Sequence, residues 1–148
     1  MCAHIAQELG RGQGAPSVEP FVEALKTGGG LGFALASVHE LAWTLTPLGR
    51  GEELADALDR FGGNPWARAG RAFALGDPVG AADVLGAIGA LSSEAYCRLA
   101  AARSMVEEGR RAEADAQLVA ALGFFRSVGA TRYVRVGESL LAASAQLP

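Results

Sequence analysis

The sequence predicts an all-helical fold of short antiparallel hairpins, and three observations predict it. Thirty of the 148 residues are Ala and 20 are Gly, against six Phe, two Tyr and two Trp. That balance suits closely packed helices and disfavours strands, which draw on β-branched and aromatic residues. Apolar residues recur at intervals of three and four, and Gly and Pro cut the chain into segments of helical length. No stretch alternates as a half-buried strand would.

Taken in order, residues 10–16 form a Gly-rich joint, and Gly28-Gly29-Gly30-Leu31-Gly32 forms a second. Between them Ser17 is placed to cap a short helix carrying Phe21, Val22 and Leu25. Over 33–48, Leu35, Val38, Ala42 and Leu45 draw one apolar stripe, which Pro47 and Gly49 end. Over 51–61, Leu54, Ala55 and Leu58 face inward and Glu52, Glu53, Asp56 and Asp59 outward, before Gly62-Gly63 breaks the chain. Asn64-Pro65 reads as an N-cap followed by proline at the first helical position, where its missing N–H is not needed. That helix has the stripe Trp66, Ala69 and Phe73, and Gly76 closes it. Asp77-Pro78 repeats the device and opens a helix with Ala81, Leu85 and Ile88 on one face. Ser92 or Ser93 caps the next, whose stripe is Ala95, Leu99, Ala102 and Val106 before Gly109. A helix over 111–128 follows, with Ala114, Leu118, Ala121, Leu122 and Phe125 buried. Gly129 suits a left-handed turn, and Thr131 caps a last helix carrying Tyr133, Val136, Leu140 and Leu141.

The chain also repeats itself. With Gly76 aligned on Gly109, 33 residues on, Ala69 falls on Ala102, Ala81 on Ala114 and Leu85 on Leu118. Small residues at crossings let two backbones approach, the glycine takes the turn, and the leucine fills the groove between hairpins. A weaker copy has Gly49 in the turn, Ala42 seven before it and Leu58 nine after.

A period of 33 with small-residue, glycine, alanine and leucine positions resembles the tetratricopeptide (TPR) repeat. The early aromatic of that repeat is shifted to Trp66 in one copy and absent from the other, and its terminal proline is missing. The runs Ala81-Ala82-Asp83-Val84-Leu85, Glu94-Ala95-Tyr96-Cys97-Arg98-Leu99 and Gly109-Arg110-Arg111-Ala112-Glu113-Ala114-Asp115 resemble one group more closely. So does the stretch from Phe124-Phe125-Arg126 to Thr131-Arg132-Tyr133. That group is the TPR-like C-terminal tail of large, mostly actinobacterial, multidomain signalling ATPases, many with an adenylate/guanylate cyclase domain or a LuxR-type regulator module. The resemblance covers 65–145 and implies TPR-like antiparallel hairpins stacked as a short right-handed solenoid. The segments and the repeat together predict one helical-repeat domain over 1–148: a loosely ordered segment over 1–32, a degenerate hairpin over 33–63, hairpins over 64–89 and 92–128, and a capping helix over 131–145. None of the family's catalytic motifs is present, so no catalytic residue carries over.

Bulk properties narrow the function. A net charge of −3 and a pI near 5.4 give no global positive field for a phosphate backbone, so nucleic acid is not expected as a partner. Apolar stretches are interrupted well before 18 residues, and residues 1–9 lack the basic and apolar regions of a signal peptide, so neither membrane nor export is expected. Cys2 and Cys97 are too few for a disulfide framework, which predicts a reducing, cytoplasmic setting.

Few motifs suggest chemistry. The glycines at 28–32 follow Lys26-Thr27 instead of preceding them, so a linker is the better reading than a phosphate cradle. His39-Glu40 lacks a second His four residues on, where Trp43 stands, and His4 is the only other His, so no metal or other cofactor is expected. Cys97 reads as a buried small hydrophobe. Glu107, Glu108, Glu113 and Asp115 flank an exposed turn, where carboxylates are ordinarily solvated. The remaining candidate is Arg126, Arg132, Tyr133 and Arg135 around Gly129, a cluster able to dock an acidic partner or an anion. Alternatively, these arginines complement helix ends and carboxylates such as Glu138.

The expected function is therefore a non-catalytic TPR-like module that binds a protein partner or its own copy. Arg132, Arg135 and Glu138 give the last helix a polar outer face, whereas no such cap is expected at the N-terminal end, which predicts a surface for self-association or a partner. The alternative is a part of a cyclase or LuxR-type ATPase regulator whose catalytic domains lie outside these residues.

Overall fold

The computed structural model describes residues 14–28 and 38–145, with eight α-helices and no strand among them. They are α1 (Gly14–Thr27), α2 (Val38–Leu45), α3 (Gly51–Asp59), α4 (Pro65–Ala74), α5 (Pro78–Ala87), α6 (Leu91–Glu107), α7 (Arg111–Ser127) and α8 (Thr131–Ser144). A 3-10 turn, Thr46–Leu48, follows α2, where Pro47 ends the α-helical ladder. The expectations for residues 1–9, His4, Cys2, Gly29–Gly32, Phe33 and Leu35 lie outside the described residues.

One turn recurs through the chain. Gly49, Gly76, Gly89, Gly109 and Gly129 all adopt left-handed φ, between 66° and 84°, where a side chain would be strained. At each, the next residue donates its N–H to the carbonyl five positions back: Arg50 to Leu45, Asp77 to Ala72, Ala90 to Leu85, Arg110 to Met105 and Ala130 to Phe125, at 2.8–3.0 Å. That bond closes one helix. The same residue's carbonyl then accepts the first bond of the next, as from Glu94 N–H to Ala90 at 2.9 Å and from Val134 N–H to Ala130 at 3.1 Å.

This economy corrects several expected caps. The α6 and α8 N-caps are Ala90 and Ala130, neither with a side-chain bond, so Ser92, Ser93 and Thr131 lie inside their helices instead of capping them. One residue after the glycine already starts the new ladder, leaving no room for a later cap. Ser17 is likewise no cap, because α1 begins at Gly14; Pro16 falls in the first turn, where no backbone donor is required. Ile88 lies beyond the end of α5 and is 40% exposed, so it does not continue the Ala81–Leu85 face. The two caps that hold are Asn64, whose side-chain oxygen accepts from Trp66 N–H at 2.9 Å and Ala67 N–H at 3.2 Å, and Asp77, which accepts from Gly80 N–H at 2.8 Å.

The chain divides into two compact units between Val84 and Leu85, inside α5. In the first, α2, α3 and α4 pack on one another and α1 packs on α2 and α3. Their core joins Val22, Leu25, Val38, Ala42, Leu45, Leu54 and Leu58. Gly70 lets α4 approach closely: an added Cβ would lie 3.1 Å from the His39 Cα and 3.2 Å from the Leu58 side chain. Ion pairs tie α1 to the start of α3, with Lys26 on Glu53 at 2.5 Å, Arg50 on Glu53 at 2.7 Å, and Arg50 on Glu19. In the second unit, α7 packs on α6 and α8, and α6 touches α8. Ala95, Leu99, Ala102, Leu118, Ala121 and Phe125 form its core, with Tyr133, Val136, Leu140 and Leu141 packed against it.

The residues paired by the internal repeat are all buried. Ala69, Ala102, Ala81, Ala114, Leu85 and Leu118 are each 0% exposed, as are Ala42 and Leu58 of the weaker copy.

Candidate functional site

The C-terminal corner that holds the predicted arginines is built by three helices. Phe125, one turn from the end of α7, is buried and stacks on Tyr133 of α8, with ring centroids 4.7 Å apart. Tyr133 also meets Tyr96 of α6 edge-on, at 6.1 Å. The turn glycine at 129 delivers α8 at the level where this aromatic contact closes. Tyr133 is therefore a packing residue, and its ring is committed to the corner it was expected to decorate.

The arginines separate into two kinds. Arg126 lies in the last turn of α7, where a cation complements the helix dipole, and it donates to Glu138 at 3.0 Å. Both partners are more than half exposed, so the pair contributes little to stability. Arg132 and Arg135 are exposed in the first two turns of α8. That is the positive end of a helix dipole, so helix-end complementarity does not account for them.

The other candidates have structural explanations. His39 is buried between Trp43, edge-on at 4.9 Å, and Trp66, tilted at 5.0 Å. No group of three or more His, Cys, Asp or Glu among the described residues could hold a metal ion. Cys97 is 1% exposed on α6. Arg110 engages both Glu113 and Glu108, at 2.7 and 2.9 Å, and lowers the carboxyl pKa of Glu113 by that hydrogen bond. Arg111 approaches Asp115 at 3.9 Å. Glu108, Glu113 and Asp115 are thus held in ion pairs. Among the described residues the Glu53 carboxyl is brought down to about 2, first by hydrogen bonding to Arg50 and then to Lys26.

Two features had no signal in the sequence. Lys26 and Glu53 are 27 residues apart, and Arg50 and Glu19 31, so no local pattern pairs them. Ile88, Leu91 and Val128 are 40%, 54% and 57% exposed, each at a helix end. No helix among the described residues is long and apolar enough to cross a membrane. No family model, curated protein or solved structure matches the chain.

Proposed function

We propose that this chain is a non-catalytic, TPR-like helical-repeat module that binds protein segments, and that it serves as the C-terminal part of a bacterial signalling or regulatory protein. The observation that carries the reading is the recurrence of one packing register. At Gly49, Gly76 and Gly109 a left-handed turn is preceded seven residues earlier by a fully buried Ala and followed nine residues later by a fully buried Leu. In each unit, two helices of a hairpin and the helix after it pack on one another, the unit from which helical solenoids are assembled. The signalling context rests on the resemblance over 65–145 alone.

Selection of random twelve-residue peptides displayed on phage against the immobilised chain tests the reading. Convergence on a motif that competes in solution is expected. Failure to converge overturns the binding role, and turnover of ATP by the purified chain with a divalent metal overturns the non-catalytic one.

A further inference from the structure

Helix α1 is held to the first unit by less than its neighbours are. The sequence predicts no cap before the first hairpin, yet α1 packs on both of that hairpin's helices, α2 and α3. Among its described side chains only Val22 and Leu25 are buried, whereas α2 buries six residues and α3 five. Phe21, its largest side chain, is 51% exposed. The ion pairs from Lys26 to Glu53 and from Arg50 to Glu19 lie at the surface, with Lys26 44% and Glu19 53% exposed, so each adds little. By itself α1 is also a poor helix. Its 14 residues include Pro20 in the interior. Proline donates no N–H, so the helical bond to the Pro16 carbonyl is missing, and the ring crowds that carbonyl. A helix of this length is marginal in water even without such a break.

We propose that α1 is a detachable cap: it leaves the α2–α3 hairpin and unwinds as one piece while the remainder of the first unit stays folded. The two losses are coupled. Undocked, α1 lacks the burial of Val22 and Leu25 that keeps it helical; unwound, it cannot present both side chains, three residues apart, to one face. Opening uncovers apolar surface, because Val22 and Leu25 share a cluster with Val38 and Leu45 of α2 and Leu54 and Leu58 of α3. α1 therefore governs access to that surface. The helices beneath have support of their own. α4 packs on both α2 and α3, and the His39 ring lies against Trp43 of α2 and Trp66 of α4. The cap does not depend on the chain's binding protein segments.

Lys26 is the only lysine of the chain, so a lysine-specific endoprotease cuts one bond, between Lys26 and Thr27, inside α1. Cleavage needs that segment unwound, and its rate follows the population of the open form when reclosing is fast. The full chain is treated with the protease in rising urea, while tryptophan emission from Trp43 and Trp66 reports the remainder of the unit. Cleavage is expected at urea concentrations that leave the emission native, and with a weaker urea dependence than the emission transition, because less surface is exposed. Pro20→Ala, which restores the missing bond, is expected to slow it about tenfold. Cleavage that begins only with the tryptophan transition, or that rises with the same urea dependence, overturns the proposal. So does a Pro20→Ala rate equal to that of the wild type, since fraying of the last turn alone would be indifferent to residue 20.

Discussion

Asn64 does its work with one atom. Its side-chain oxygen takes two N–H groups that the start of α4 would otherwise leave unsatisfied. Asn64→Ala is expected to lower stability by ~1 kcal/mol in a urea titration. Glu53 acts through charge. Its pKa falls to about 2 from an ordinary value of 4.5 because Arg50 and then Lys26 hydrogen-bond the carboxylate. A group whose folded pKa is depressed contributes stability above its unfolded pKa and loses it as pH falls through the folded one. Thermal melts should therefore show this contribution intact above pH 4.5 and fading towards pH 2. In Glu53→Gln that pH-dependent component is expected to disappear, and an unchanged acid profile would refute the pairing. These two roles differ in legibility. The Asn64-Pro65 dipeptide announces a cap, whereas nothing near Glu53 in sequence announces Lys26.

At the scale of the element, the helices follow their apolar periodicity closely. For α7 the predicted buried set, Ala114, Leu118, Ala121, Leu122 and Phe125, is also the observed one. Within the helices the expected stripes part from the structure at Trp66 and Phe73 of α4 and Val106 of α6, which are only half-buried, while α4 buries Ala67, Ala69, Gly70 and Ala74. The other departures lie at helix ends. A left-handed glycine followed by a single non-helical residue replaces the side-chain caps expected of Ser92, Ser93 and Thr131. Leu85 and Leu118 each stand nine residues after a left-handed glycine, at Gly76 and Gly109, and are both fully buried. Leu85→Ala and Leu118→Ala should each cost ~2–5 kcal/mol, through lost burial and the cavity left behind. Arg110→Ala, which removes only exposed ion pairs at the α6–α7 turn, should melt like the wild type. Melting curves followed by circular dichroism give the ranking, and the opposite order would refute the helical phase.

Over the whole molecule, each unit carries its own apolar cluster and its own reporters. Both tryptophans, Trp43 and Trp66, belong to the first unit, and both tyrosines, Tyr96 and Tyr133, to the second. Leu58→Ala, in the first cluster, is expected to move the transition seen by tryptophan emission to lower urea. Phe125→Ala removes the ring stacked on Tyr133 and should shift the aromatic proton resonances of Tyr133, which a ring 4.7 Å away perturbs. Tyrosine resonances left in place would show that the corner packs differently. The arginine cluster was legible as composition, and so was the pairing of Arg126 with Glu138, but the commitment of Tyr133 to the stack on Phe125 was not.

The sequence by itself determined where the described helices turn and which faces they bury. Those features depend on rules of short range: 3.6-residue periodicity, the freedom of glycine at positive φ, and the oxygen of Asn64 or Asp77 one turn from the groups it caps. Tertiary structure alone decided that Lys26 meets Glu53, that Tyr133 closes on Phe125, and that Leu91 and Val128 are exposed. These are contacts and exposures between segments distant in sequence, set by how whole helices pack, and no local pattern encodes which side chains a packed neighbour will cover.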